Sequence, residues 1–240
     1  MSKLTLLCGP PMSGKTAVGI KIAEELYYCY KKSVLFVSPD TVTPFMGLVF
    51  PSVRDKELFS LGELLEHTTV TEDNILRHTV TTPKMQNFGF LGYKAGENKY
   101  TYARATRDKV KEFFDNCSKT VDHIFVDCTA GLDDPLSAYA LTVADNAVQL
   151  IPPDIRSSAY YASFEKSYEL LKDKTIGAIN INDREIYLPV GEVKTGFSNA
   201  KYIIPYCFYL KQQIITGTLT ERIPDPKFKA VCRGLAEAVM

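Results

Sequence analysis

Apolar positions along the chain fall into two patterns, short unbroken runs that suit strands buried on both faces and stripes spaced three and four apart that suit helices. The first run, Lys3–Cys8, predicts a strand, and Val18, Ile22, Leu26 and Cys29 predict a helix from Thr16 that ends near Lys31 and Lys32. A second run at 33–38 then completes a strand-helix-strand unit. Such a unit demands a parallel pair with a right-handed crossover.

Residues 41–57 show no period, and Ser60-Leu61-Gly62-Glu63 has the spacing of a capping box for a helix through Glu66. A short helical turn is expected at 73–77, an aromatic strand within Met85–Gly92, and a polar loop at 94–99. Val110, Phe113, Phe114 and Cys117 give the clearest amphipathic helix, whose other face would carry Arg104, Arg107 and Lys111, with Asp108 paired to Arg104. That basic face suits a solvated surface better than a nucleic-acid or partner surface. Further strands are expected at 123–126, Asn146–Ile151 and 175–181, and further helices at 157–171 and 226–240. The stretch 202–210 suits a strand or a buried helix. Strands alternating with helices predict an α/β fold: three layers, a mostly parallel twisted sheet flanked by helices, in one domain over 1–240.

Charge and cysteine content narrow the class. The chain has 28 Lys+Arg and 28 Asp+Glu among 240 residues, so no net field draws it to nucleic acid or anionic lipid. The 6 cysteines are scattered without a C-x-x-C pair, as expected of reduced thiols in cytoplasm and not of a disulfide framework or zinc site. No apolar run approaches the roughly 18 residues of a membrane span, and a loop starting at Gly9 leaves no room for a signal peptide. His67, His78 and His123 show no ligand spacing.

The chemistry is concentrated between the first strand and the first helix. Gly9-Pro10-Pro11-Met12-Ser13-Gly14-Lys15-Thr16 fits G-x-x-x-x-G-K-[ST], the phosphate-binding loop known as Walker A, flanked by the strand and helix that its mechanism needs. Gly14 would let the backbone N–H groups of residues 13–16 turn inward at a helix N-terminus, where the dipole favours a polyphosphate. Lys15 would reach the β- and γ-phosphates and Thr16 would ligate Mg²⁺. Pro10 and Pro11 lie upstream of those donors and stiffen the loop without emptying it. Asp127 ends an apolar strand, the place from which a carboxylate holds a magnesium-bound water, and Gly131 follows where a bare N–H could sense a γ-phosphate. Asn180 closes a buried strand with a carboxamide able to read a purine edge, and it is equally suited to a turn.

With these residues in view, the run Asp127-Cys128-Thr129-Ala130-Gly131-Leu132, the segments Ala144-Asp145-Asn146-Ala147-Val148 and Pro152-Pro153-Asp154, and the order of the first 185 residues resemble the MinD/ParA superfamily of P-loop ATPases. The resemblance implies ATP and Mg²⁺ as ligands and an ATP-dependent homodimer. It also implies that Asp40 orients the attacking water and that Asn180 reads adenine, although Asn180-Ile181-Asn182-Asp183 is one residue from a guanine reader. Three departures stand out: Ser38 replaces the first switch aspartate, Asp127-Cys128-Thr129-Ala130-Gly131 has Thr129 where the family's Asp-x-Pro-x-Gly has its proline, and Pro10 stands where members carry a second lysine that reaches a partner's phosphates. Losing that cation removes charge stabilisation from phosphoryl transfer, so hydrolysis is expected to be slow or absent. Atypical members of this kind include TadZ-like proteins of pilus assembly.

The expectation is therefore an ATP-binding switch, a weak ATPase at most, that positions or assembles a pilus, division or partition machine through an unnamed protein partner. No clear nucleic-acid site is legible. The basic residues Lys227, Lys229 and Arg233 of the last helix resemble the family's membrane-targeting helix, but Glu237 interrupts them, so membrane contact is at most peripheral and packing on the domain is favoured. Two other classes compete: a small-molecule kinase or ligase of dethiobiotin-synthetase type, for which no Arg-rich lid is visible, and a non-hydrolysing nucleotide-binding scaffold.

Overall fold

The central strands are apolar on successive residues because helices cover both faces of the sheet they build. In β1 (Lys3–Cys8) Leu7 packs on one side while Leu4, Leu6 and Cys8 pack on the other. Strand β2 (Val34–Ser38) divides in the same way, Val34 and Phe36 against Leu35 and Val37. The computed structural model describes residues 2–54, 57–197 and 199–240.

Eight strands form one sheet in the order β3-β4-β2-β5-β1-β6-β7-β8, completed by β3 (Val80–Thr82), β4 (Met85–Gly92), β5 (His123–Asp127), β6 (Asn146–Ile151), β7 (Thr175–Asn180) and β8 (Ala200–Ile204). All neighbours are parallel except the β3 edge, which runs antiparallel to β4. The expected three-layer α/β arrangement is thus observed. One face is covered by α1 (Lys15–Tyr30), α2 (Phe45–Val49), α10 (Phe208–Thr216) and α11 (Pro226–Ala238). The other carries α3 (Leu61–Glu66), α4 (Glu72–His78), α5 (Arg107–Thr120), α6 (Pro135–Val143), α7 (Ile155–Ser163), α8 (Glu165–Tyr168) and α9 (Val190–Gly196).

Local signals placed several helix starts. Ser60 and Glu63 form the expected capping box of α3, and Thr106 caps α5 by accepting from Lys109 N. Because α5 begins at Arg107, Arg104 lies outside it, and its guanidinium donates to Asp133 O instead of pairing with Asp108. The helix expected over 157–171 is broken at Phe164, which ends α7 and opens α8 before a 3₁₀ turn at Glu169–Lys174. Aromatic packing accompanies the break: the Phe164 ring lies tilted, 4.7 Å from that of Tyr160, whose hydroxyl bonds that of Tyr168. The ambiguous 202–210 stretch is both a strand and a helix, separated at Pro205, which has no N–H to continue the ladder.

Candidate functional site

The tips of β2, β5, β6, β7 and β8 and the loop that leads from β1 into α1 converge at the carboxyl edge of the sheet, where open parallel sheets bind their ligands. The tip of β1 turns at Gly9, where a Cβ would come within 2.6 Å of Ser13 Oγ and 2.8 Å of Leu150 O. The chain enters α1 through Gly14 at φ 87°, and a Cβ there would meet Asn180 Nδ2 at 2.6 Å. Only glycine combines that backbone with that approach. Met12 also takes a positive φ, 61°, and its side chain is 87% exposed at the mouth of the cleft.

Inside the loop, the Lys15 ammonium donates to Gly9 O at 3.0 Å and Pro10 O at 3.1 Å, so it lies curled over its own turn. The Thr16 hydroxyl donates to Asp127 Oδ2 at 2.6 Å, and the Ser38 hydroxyl approaches the same oxygen at 3.3 Å. The sequence comparison treated Ser38 as a missing carboxylate; in space it is a donor that supports Asp127. Burial pushes the Asp127 carboxyl up to about 6, against the opposing pull of Lys15 and Thr16. Its Oδ1 and the Ser13 hydroxyl are buried with no hydrogen-bond partner among the described residues. Buried polar atoms are rarely left so, and both residues line the cleft.

Asn180, at the tip of β7, donates from Nδ2 to Ser13 O at 2.8 Å, and Asn182 donates to Met12 O at 3.0 Å. Asn180 therefore braces the loop as well as lining the cleft. Asp40 accepts from Val42 N at 2.7 Å and Thr43 N at 3.1 Å, which makes it the pivot of the turn after β2 at the cleft edge. The cleft holds about 560 Å³, within the range of small-molecule sites. Its polar end is Ser13, Gly14, Lys15, Thr16, Ser38, Asp40, Asp127 and Asn180, and its walls include Pro11, Met12, Phe45, Pro205, Tyr206, Leu210, Leu219 and Phe228.

Gly9, Pro10 and Gly131 do not reach the cleft wall. Gly9 and Pro10 contribute their carbonyls to Lys15, while Gly131 is exposed and the neighbouring Ala130 lines the cleft. The segment after Asp127 is held from outside, with Thr129 donating to Asp134 Oδ2 and Tyr160 donating to Ala130 O. Sequence reasoning passed over Arg156 on the cleft wall, held by Asp154 through Nε at 3.0 Å and Nη2 at 2.6 Å. Its signal was an Asp154 N-cap followed two residues later by a cation, a pattern too common to single out.

The last helix turns Phe228, Cys232, Leu235 and Ala236 into the core against α1, and Arg233 bonds Glu25 at 3.1 Å. No helix among the described residues is long and apolar enough to cross a membrane. No group of three or more His, Cys, Asp or Glu side chains able to hold a metal occurs among them either, so a cation here would depend on Thr16, Asp127, water and a bound ligand.

The glycine-bounded turn, the helix that follows it and the carboxylate on the neighbouring strand tip define a P-loop α/β protein. Within that class the chain matches the MinD/ParA fold over its full length. The septum site-determining protein MinD of Pyrococcus horikoshii, solved with Mg-ADP, superposes with a TM-score of 0.77 at 19% identity over 100% of this chain and 96% of that one. A ParA-family ATPase of Chlorobium tepidum gives 0.80 at 13% identity over 99% of both chains. A putative plasmid partition protein of Borrelia burgdorferi, bound to AMPPNP, gives 0.72 at 12% over 100% of this chain and 97% of that one. No family profile and no curated relative matches the sequence, so the likeness is one of fold.

Proposed function

We propose that the protein is an ATP-operated switch of the MinD/ParA type. Mg·ATP occupies the cleft, a second copy pairs with the loaded form, and hydrolysis is slow or absent. The observation that carries this reading is the Thr16–Asp127 bond with Asp127 Oδ1 left unpartnered: two hard oxygen donors, 2.6 Å apart, beside a loop built for phosphates. That donor set fits Mg²⁺, which Thr16 and Asp127 would hold and which would supply neutralisation of phosphate charge when bound. Residues 13–16 would present backbone N–H groups to the phosphates, Lys15 would uncurl from Gly9 O and Pro10 O towards them, and Ser38 would hold the Asp127 carboxylate in place. Asn180 and the Pro205–Tyr206 turn would flank the base.

The partner would be a component of a division, partition or pilus machine that reads the loaded state. Solved structures of this fold include a MinC:MinD complex from Aquifex aeolicus and an ATP complex of a McdA variant from Cyanothece, which supports a switch read by other proteins. Buried Pro10 favours one second reading, a scaffold that binds ATP without turning it over, since no cation stands at that position. Sedimentation velocity with and without ATP and Mg²⁺, followed by phosphate release, tests both. A ligand-dependent dimer with slow release is expected. A dimer with no release favours the scaffold, and an unchanged monomer that still binds ATP contradicts the switch.

A further inference from the structure

Away from the phosphate donors, a charged cluster lies buried between α1, α11 and the strap 217–223 that joins α10 to α11. Lys21 is its centre. On α1, a little more than one turn beyond Thr16, it is 3% exposed, and its ammonium donates to Leu219 O at 2.6 Å, Glu221 O at 2.7 Å and Glu24 Oε1 at 2.9 Å. An ammonium has three donors, and all are used. Two of the acceptors are backbone carbonyls of the strap. Gln213 of α10 donates to the same Glu221 carbonyl at 2.9 Å. The strap is fixed at its start as well, because Gly217 adopts φ 68° against Pro51, where a Cβ would meet Pro51 Cγ at 2.2 Å. At its end Arg222 bonds Glu25 at 2.8 Å and lies 4.4 Å over the Tyr28 ring, and Arg233 of α11 reaches the other Glu25 oxygen.

What this fastening holds in place is a wall of the cleft. Leu219 and Phe228, 4% and 1% exposed, line it beside Ala17 and Val18 in the first two turns of α1. We propose that Lys21 is a positioning residue for the cleft: by gripping the 219–221 backbone it sets the apolar wall against which the nucleoside half of a nucleotide packs, and it couples occupation of the cleft to the docking of α11. The inference rests on the nucleotide reading above. Its chemistry separates the two halves of the ligand, since the phosphate donors belong to the loop and the strand tips, none of which Lys21 touches. Coupling is reciprocal, so a ligand that favours the gripped strap also steadies α11.

Titration calorimetry of the full chain with Mg·ATP and with inorganic tripolyphosphate tests this, alongside hydrogen exchange in 226–238. Lys21→Met is expected to weaken ATP roughly 10-fold and tripolyphosphate less than about twofold, the first equivalent to about 1.4 kcal/mol. ATP should slow exchange in α11 of the wild type and not of the variant, and Lys21→Arg should restore most of both effects. Should Lys21→Met fail to fold, Gln213→Met loosens the Glu221 carbonyl from the α10 side and is expected to act in the same direction by roughly threefold. Equal loss of both ligands, or unaltered ATP binding and α11 protection, overturns the inference. A wild type that ignores ATP overturns the nucleotide reading and this inference with it, whereas tight ATP binding shared by wild type, Lys21→Met and Gln213→Met overturns this inference alone.

Discussion

The phosphate end of the cleft and its C-terminal wall are built on opposite principles. At the phosphate end, Asp127 Oδ1 and the Ser13 hydroxyl are buried without partners, Met12 and Gly14 hold positive φ, and the Asp127 carboxyl is pushed up to about 6 by burial. At the wall, Lys21 uses every donor, Glu25 receives two arginines, and apolar side chains fill the space, with Gln213 Oε1 the exception. One region keeps polar groups open for a ligand, and the other commits its interactions to holding shape. Unsatisfied groups and unusual backbone at a site lower stability unless a ligand completes them.

Substitutions at the two ends should therefore move stability in opposite directions. The largest change is expected at the wall, where Phe228→Ala removes a ring that is 1% exposed and should lower unfolding free energy by about 3–5 kcal/mol in chemical denaturation. A gain or no change would mean that the wall is not packed as described.

A smaller change is expected at a buried histidine away from both ends. His123 is 2% exposed, bonds Thr5 Oγ1 at 2.9 Å, and is lowered by burial from 6.5 to about 4. Its neutral form is favoured in the fold, so its contribution is fully present above pH 6.5 and is lost as the unfolded chain takes up the proton first on acidification. Between pH 6.5 and 4 the wild type should lose up to about 3 kcal/mol relative to His123→Gln. Parallel stability curves for the two proteins would contradict this.

The smallest effect has the opposite sign. Asp127→Asn removes a buried charge with one unpartnered oxygen, so without ligand the variant should be more stable by about 1–2 kcal/mol, while the magnesium dependence of ATP binding is lost. A variant that is less stable than the wild type would place the phosphate end with the wall, as ordinary satisfied structure.

The same contrast explains what was legible in the sequence. The phosphate end is contiguous over residues 9–16, and Asp127 and Asn180 each close an apolar run, so local pattern and strand-end position were enough. Asn180 was read as a base contact or a turn residue, and the structure adds its brace to Ser13 O, a contact between residues 167 apart that no local pattern records. Ser38 was hidden for the same reason. The wall is assembled from α1, α10, the strap and α11, so no local pattern marks Lys21. Among the elements, α6 passed unnoticed although Asp134 followed by Pro135 is an N-cap with proline at the first helical position, and β3 is three residues of half-exposed edge with no run to reveal it. Gly131 was read from its place four residues after Asp127, and spacing alone does not say which residue of that turn faces the cleft, where Ala130 forms the wall.

The central claim is that the turn at residues 9–16, together with Asp127, holds a magnesium-bound nucleoside triphosphate. Titration calorimetry of wild type and Lys15→Ala with ATP and Mg²⁺ tests it most directly. Saturable binding by the wild type, weakened at least about 100-fold in Lys15→Ala, a loss of about 2.7 kcal/mol, is the predicted result. No binding by the wild type, or equal binding by the two proteins, would contradict it.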